Sequence, residues 1–431
     1  MQSYPKYTGP RAGLWKSSVV PRLVPIPVEG AGFASSNLSV PTPIRRKGNR
    51  FFVIVFQVKP NLTFQVDIGL ASDIEGVTEI VSYEQAGLFV PGISISISTK
   101  EDKVVKELWE GNNIKVLYGR NGKLDIFGEY VINRVELRRE TNYWNAVVLG
   151  VHKGISFSVK GKPRFFENKS KEVLVSVLGE YFQVKDEAKP TDDKMVWIQP
   201  RFYSDKAFCL HVWQHSWYPG NNLLLIGIHR DGKAHLVDLE TLAQREDVRI
   251  GTLVGYKRFI GNFSWMATSD IANAFNASSV GEWNLLDYKY SEHNHDYKVL
   301  LGIKDPQSFL GDKQEVYRYM VSDNVHGNYN ASLAKNTEIL AKLSSVSLEI
   351  LWEVCPECKS GELNDDRPIL KLFQVVKFGI EEANKSENPK DSARSFLPAS
   401  GKYIISGIKT FVSPGNPITQ SLTLVRDSFR S

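Results

Sequence analysis

Hydrophobic and polar residues alternate along much of the chain, most regularly in residues 128–151. Two alternating runs there flank a charged and polar joint at residues 138–142. In the first run, one face carries Val131, Asn133, Val135 and Leu137, and the other carries Tyr130, Ile132, Arg134 and Glu136. Alternation of β-branched and aromatic residues with a period of two is typical of half-buried strands. The pattern therefore predicts a β-hairpin.

A second segment, residues 401–426, begins with the same order of residue types. The corresponding residues are Gly128 and Gly401, Tyr130 and Tyr403, Ile132 and Ile405, and Val135 and Ile408. A turn rich in proline and glycine and another alternating strand follow. A true duplication predicts two copies of one β-domain. Hydrophobic hairpins also resemble one another by chance, so the pattern alone leaves both interpretations open.

Residues 51–156 are predicted to form the first, antiparallel β-domain. Residues 51–58 are continuously apolar, and residues 93–98 alternate isoleucine with serine, as buried and half-buried strands do. Further strands are predicted at residues 62–70, 79–83, 114–118 and 124–127. A short amphipathic helix at residues 104–110 interrupts them.

Residues 157–245 are predicted to form a small α/β module. Apolar residues recur at helical spacing in residues 171–181 and 206–217. An apolar strand at residues 223–228 and a returning strand at residues 235–239 flank a tight turn. Asp231 and Gly232 are typical of such a turn because both tolerate positive φ.

Residues 246–268 and 346–428 are predicted to form the second β-domain, which residues 269–345 interrupt as an insertion. Strands are predicted at residues 346–354 and 369–378, a helix at residues 332–343, and a polar, irregular stretch at residues 284–310. The predicted fold class is thus mainly β with α/β insertions.

Residues 1–50 hold seven of the twenty prolines and are predicted to form an extended arm. Proline fixes φ and cannot donate to a strand ladder. The arm either lies on a neighbouring subunit or packs on its own chain. A basic cluster ends it, formed by Arg45, Arg46, Lys47 and Arg50.

The composition sets broad limits on function. With 53 basic and 48 acidic residues among 431, the net charge of +5 gives no strong signal for nucleic-acid binding. Three cysteines argue against a disulfide-built secreted scaffold. No signal peptide and no apolar run of about 18 residues are visible, so we expect a protein made in a cytoplasm without membrane insertion.

Reaction chemistry has little support in the sequence. It lacks a phosphate-binding glycine loop, an HExxH motif and a nucleophile elbow. Cys355 and Cys358 form one CxxC pair, which is half of a tetrahedral zinc site or else two cysteines at a strand end. His211 with His215, and His293 with His295, lack a third ligand. We therefore predict no catalytic residues and no cofactor, with Cys355 and Cys358 as the metal candidates.

The order of elements resembles a known family. The residues that carry the resemblance are 127–166, 206–242 and 401–426. Together they resemble the baseplate hub protein of contractile-tailed bacteriophages of the T-even type, and the related hub part of type VI secretion spike proteins. The resemblance covers most of residues 51–428 through the order of elements, without a diagnostic motif.

The resemblance implies two tail-tube-like antiparallel β-barrel domains plus the small α/β module. Three chains would form a pseudo-sixfold ring that joins the hexameric tail tube to the trimeric central spike, with DNA as passing cargo. The implied partners are a homotrimer, the central spike protein, the tail tube protein and other baseplate proteins, in a virion tail baseplate assembled in the host cytoplasm. The ring-interface hairpins would include Tyr130, Ile132, Val135, Tyr403, Ile405 and Ile408.

Two other functions stay open from the residues. The nine tryptophans, 17 tyrosines and 22 phenylalanines fit a glycan-binding or hydrolytic tail-associated protein, although aromatic residues are also common in β-sheet cores. A nucleic-acid-binding module is the second alternative, which the balanced charge does not favour.

Overall fold

The structure is a computed structural model, and all the residues that it describes belong to one compact unit, Val58–Ser431. The described residues are 63–120, 123–251, 257, 260–267, 279–284, 289–294, 300–301, 315–320, 325–344, 346–354, 359–360, 363–364, 368–380, 399–414 and 416–427. The proline-rich residues 1–50 and the predicted strand at residues 51–58 lie outside them, as do Cys355 and Cys358.

Six strands and one helix make up the first part of the described chain. They are β1 (Thr63–Ile68), β2 (Val77–Gln85), β3 (Gly92–Thr99), α1 (Asp102–Glu107), β4 (Asn113–Arg120), β5 (Lys123–Arg139) and β6 (Trp144–His152). Across the sheet the order is β1-β4-β5-β6-β3-β2, with every pair antiparallel. Alternation sets the faces: in β3 the isoleucines are buried while the serines between them are half-buried.

The middle of the chain folds into a smaller α/β unit with a core of its own. Its elements are α2 (Ser156–Val159), β7 (Arg164–Asn168), α3 (Ser170–Leu178), β8 (Gln183–Asp186), β9 (Met195–Gln199), α4 (Asp205–Gln214), β10 (Leu224–Ile228), β11 (Lys233–Asp238) and α5 (Leu239–Ala243). Strand β10 is buried at every position and pairs with β11, which pairs with β8. Gly232, with φ of +79°, makes the turn from β10 to β11.

The rest of the described chain returns to strands. Its elements are β12 (Asp247–Gly251), β13 (Ile260–Ala267), β14 (Ser279–Asn284), β15 (Lys289–Asn294), β16 (Glu315–Met320), α6 (Tyr329–Leu343), β17 (Val346–Glu353), β18 (Lys359–Ser360), β19 (Leu363–Asn364), β20 (Val375–Gly379), β21 (Gly401–Val412) and β22 (Thr419–Arg426). Strands β14, β15 and β16 form a separate three-stranded sheet. The others, apart from the β18–β19 pair, join the large sheet.

Twelve strands form that large sheet, because β2 pairs with β21 and so links the early strands to the late ones. One contiguous apolar core runs along it, from Val66 to Leu424. The prediction of a mainly β protein is confirmed. Pairing among the described strands closes no barrel, so the barrel form stays a prediction.

Local differences from the sequence patterns have physical reasons. The four predicted helices are present with ends within three residues. The strand predicted at residues 369–378 begins only at Val375, because Phe373 takes a positive φ of +61° and turns the chain. Strand β15 lies in the stretch predicted to be irregular, because its polar residues do not alternate with apolar ones.

The core role of β3 can be tested with two neighbouring residues. Ile95 is fully buried, whereas Ser96 points to the other face and is half-buried. Ile95→Ala removes packed methyl groups and should lower the free energy of unfolding by about 2–5 kcal/mol. Ser96→Ala should change it by less than about 0.5 kcal/mol. Urea unfolding curves measure both, and equal shifts would contradict the assigned faces.

Candidate functional site

The large sheet contains the same strand arrangement twice. The early strands run β1-β4-β5-β6-β3-β2, and the late strands run β12-β20-β21-β22-β17-β13. Numbered by position along the chain, both sets read 1-4-5-6-3-2. Four of the five pairings are antiparallel in both sets, and the outer one differs, since β12 and β20 are parallel. Chance resemblance of two hairpins does not produce a shared six-strand order, so this supports a duplication.

Registers match as well as order. Tyr130 lies opposite Ile114, and its counterpart Tyr403 lies opposite Val376 at the same distance from the start of the pairing. Three residues after each tyrosine, the hairpin ladder contains a β-bulge, at Asn133 in β5 and at Ser406 in β21. A bulge at one position of two strands is a shared local feature that hydrophobic alternation does not specify.

The bulge at Asn133 corrects the faces inferred from simple alternation. Strict alternation places Val135 on the face opposite to Tyr130 and Ile132. The extra residue shifts the phase, so Val135 lies opposite the buried Val148 and packs against the same core as Tyr130 and Ile132. Sequence patterns miss this because a bulge carries no strong compositional signal.

A left-handed corner occurs at the same place in both sets. Gly111 has φ of +94° and Phe373 has φ of +61°. Each donates its N–H to the carbonyl of the isoleucine before the bulge, Ile132 at 2.9 Å and Ile405 at 3.0 Å. Positive φ is strained for phenylalanine, so Phe373 must be held by its surroundings.

The junction between the two strand sets is the pairing of β2 with β21. Ile80 to Gln85 lie opposite Val412 to Gly407, and the Ala86 N–H donates to the carbonyl of the bulge residue Ser406 at 2.8 Å. One residue on, the Gly87 N–H donates to Ile226 in the α/β unit at 2.6 Å. The first strand set, the second strand set and the α/β unit therefore meet at the end of β2.

Gly227 fits this meeting point because no larger residue would. A Cβ atom there would lie 2.6 Å from the ring of Phe373. The glycine in β10 thus lets the strained Phe373 corner pack directly against the strand of the α/β unit.

A buried ion pair fixes the junction to the α/β unit. Arg230 Nη1 donates to Glu84 Oε2 at 2.7 Å, and the Arg230 backbone N–H donates to Glu84 Oε1 at 2.9 Å. Their side chains are 9% and 3% exposed. The guanidinium also lies over the Phe127 ring, 4.2 Å from its centroid. Two charges removed from water require this mutual pairing.

In β5, the edge that corresponds to the junction carries no strand among the described ones. Strand β4 covers β5 only as far as Val131, and residues 134–139 continue beyond it. In β21 the corresponding residues, 407–412, are covered by β2. Most side chains of residues 134–139 are exposed, including the apolar Leu137 at 44%.

Five of the six predicted interface residues lie in the core. Tyr130, Ile132, Tyr403, Ile405 and Ile408 are buried, and Val135 is half-buried. Their side chains hold the hairpins together from inside, and a ring interface at these hairpins stays a prediction. The sequence patterns missed Glu84 and Arg230, whose only visible signal is the turn that begins at Arg230.

The other candidates have structural contacts or lie outside the described residues. His211 Nε2 is 3.1 Å from the Tyr329 hydroxyl, and the His215 ring stacks on Tyr329 at 3.8 Å, which joins α4 to α6. His293 lies in β15, and His295 is not described. Among the described residues, no three histidine, cysteine or acidic side chains are grouped for a metal ion.

By sequence, the chain matches no protein-family model and no curated protein. By structure, it matches the 43 kDa tail protein of prophage MuSo2 from Shewanella oneidensis at a TM-score of 0.55 and 9% identity, covering 85% of this chain and 99% of that one. It also matches the tail protein from Neisseria meningitidis MC58 at 0.53 and 12%, covering 85% and 97%.

The chain has the fold of phage tail proteins. A third, lower likeness is to a component of the type VI secretion system of E. coli, at a TM-score of 0.43 and 9% identity, covering 85% and 77%. The resemblance inferred from residues 127–166, 206–242 and 401–426 is confirmed as a likeness of fold. None of the described helices is long and apolar enough to span a bilayer.

Removing one charge of the buried pair tests how the junction is held. Glu84→Gln leaves the Arg230 charge buried without its partner and should destabilise the protein by about 3–5 kcal/mol in urea unfolding. Lys194→Gln, which breaks the exposed pair with Glu167, should cost at most about 1 kcal/mol. Glu84→Leu combined with Arg230→Met should recover part of the loss. A Glu84→Gln variant as stable as Lys194→Gln would contradict a buried pair.

Two buried histidines predict how stability depends on pH. Burial lowers the pKa of His152 and of His229 to about 4 in the folded protein, from an ordinary value of 6.5. Protons therefore bind the unfolded chain first, and stability that is full above pH 6.5 should fall as the pH drops toward 4. His229→Gln should lose less stability between pH 7 and pH 5 in urea unfolding. An identical loss in both proteins would contradict this.

Proposed function

We propose that the chain is a structural hub subunit of a phage tail baseplate. Three copies form a pseudo-sixfold ring that joins the hexameric tail tube to the trimeric central spike and leaves a channel for DNA. The observation that carries this proposal is the strand order 1-4-5-6-3-2, present twice in one chain.

The duplication answers a problem of symmetry. A trimer presents three copies of any surface, whereas a hexameric tube requires six matching ones. A chain with two equivalent six-strand sets lets three chains present six. The matched bulges at Asn133 and Ser406 support equivalence in shape, in addition to equivalence in order.

The domain division predicted from the sequence fits this proposal. The first tube-like domain is assigned to residues 51–156, the α/β module to 157–245, and the second tube-like domain to 246–268 and 346–428. The partners we propose are the central spike, the tail tube, other baseplate proteins and two further copies of the chain. We propose no enzymatic role, and none of the described contacts favours the glycan-binding or hydrolytic alternative.

The proposal can be tested on the protein purified alone and co-expressed with its spike. Light scattering at micromolar concentration should give three times the chain mass of 48.6 kDa, and negative-stain images should show a hollow ring with three or six repeats. A monomer that persists with the spike present, or a solid particle without a channel, would overturn the proposal.

A further inference from the structure

The internal junction provides a template for contact between copies. Within one chain, β2, which is strand 2 of the first set along the chain, pairs with β21, which is strand 5 of the second set. The corresponding strands are β13 and β5, which no pairing joins within the described part of one chain. The same contact can therefore form only if β13 of one copy meets β5 of another.

We propose that β13 of one chain pairs antiparallel with residues 134–139 of β5 in the next chain, in the register of the internal junction. This inference rests on the proposed ring, because it names the contact through which the copies join.

The hairpins show which residues of β5 correspond to residues of β21. Tyr130 corresponds to Tyr403, and Asn133 to Ser406, so residues of β5 and β21 correspond at a constant difference of 403 − 130 = 273. Val412, the end of the internal junction, therefore corresponds to Arg139.

The neighbouring strands show which residues of β13 correspond to residues of β2. Ile80 lies opposite Ile95, and Phe263 lies opposite Ile350. Ile95 lies opposite Val148, which lies opposite Val135 on its other side. Ile350 lies opposite Leu422, which lies opposite Ile408. Because Val135 corresponds to Ile408, Ile95 corresponds to Ile350. Phe263 thus corresponds to Ile80. The resulting pairs are Phe263 with Arg139, Ser264 with Arg138, Trp265 with Leu137, Met266 with Glu136, and Ala267 with Val135.

Side-chain chemistry agrees with this register on the inner face. Trp265 packs against the main core, and the Phe263 ring lies 5.5 Å from Phe378, so both point inward. On β5, Val135 also packs on the core, and Leu137 shares its face. The pairing would set Leu137 beside Trp265 and extend the core across the contact.

The outer face contains no charge conflict. Ser264 would lie opposite Arg138, and Met266 opposite Glu136, so no like charges face each other. In the proposed register Arg139 lies opposite Phe263, and Trp265 faces the apolar Leu137. A shift by one residue would move Leu137 out of register with Trp265 and set Arg138 or Glu136 against the Trp265 ring.

Exposure is consistent with two edges that none of the other described strands covers. At the internal junction, Ser82 and Thr410 lie opposite each other and are at most 1% exposed. Their counterparts are Trp265, which is half-buried, and Leu137. On the outer face, Met266 is 56% exposed. Apolar side chains at a strand edge favour pairing with another strand.

Cross-linking between two chains that each carry one introduced cysteine tests the register. Both carry Cys355→Ser and Cys358→Ser, while Cys209 stays because it is fully buried. One chain also carries Met266→Cys and the other, with a size tag, Glu136→Cys. Opposed positions bring Cα atoms into disulfide range, so mild oxidation of the mixture should give a tagged–untagged dimer on non-reducing gels. Either chain alone should give none.

The matched control replaces Glu136→Cys with Leu137→Cys. That thiol lies on the other face of β5, so it should cross-link to Met266→Cys at least about tenfold less. Equal cross-linking of both pairs, or none in a sample that light scattering shows to be trimeric, would overturn this register and leave the ring intact. A sample that stays monomeric with the spike present would overturn the ring and this inference together.

A second variant tests the apolar inner face. Leu137→Lys places a charge beside Trp265 in the contact but lies at the surface of a single chain, so it should keep the fold by circular dichroism. Self-association should weaken at least about tenfold. Leu70→Lys, at a side chain 93% exposed outside the contact, should leave association unchanged. Unchanged association of Leu137→Lys would count against the proposed pairing.

Discussion

Backbone hydrogen bonding at strand edges is the constraint on which the rest of the molecule depends. A strand edge presents unpaired N–H and C=O groups, and these must pair, face water or be covered. Within one chain, the edge of β2 is satisfied by pairing with β21. That one contact merges two six-strand sets into a single sheet, and it places the end of β2 where Gly227, Glu84 and Arg230 attach the α/β unit.

The two strand sets differ where their surroundings differ. At the left-handed corner, the first set keeps glycine at position 111, while the second has Phe373 in a conformation that phenylalanine rarely adopts. The difference is explained by Gly227, which leaves room for the Phe373 ring against β10. The strain of the corner is thus offset by packing that exists only in the second set.

Much of this architecture can be predicted from the sequence, because alternation reports which side of a strand is buried. The repeated figure around Tyr130 and Tyr403 is such a signal, and both tyrosines are in the core. Alternation is silent about bulges, so the face of Val135 came out wrong. It is also silent about strand order, since neighbours such as β2 and β21 are more than 300 residues apart. The Glu84–Arg230 pair could not be foreseen for that reason.

The ion pair between Glu84 and Arg230 has a mechanical consequence for a ring of three chains. By the proposed register the counterpart of Glu84 is Ala267, which carries no charge. Such a ring would contain two kinds of junction between strand sets in alternation, three within the chains and three between them. Strands would pair at all six, but three would also have the buried Glu84–Arg230 pair and the continuous chain, and the other three would lack both. Under load or at low protein concentration, the ring would open at the second kind and yield intact subunits.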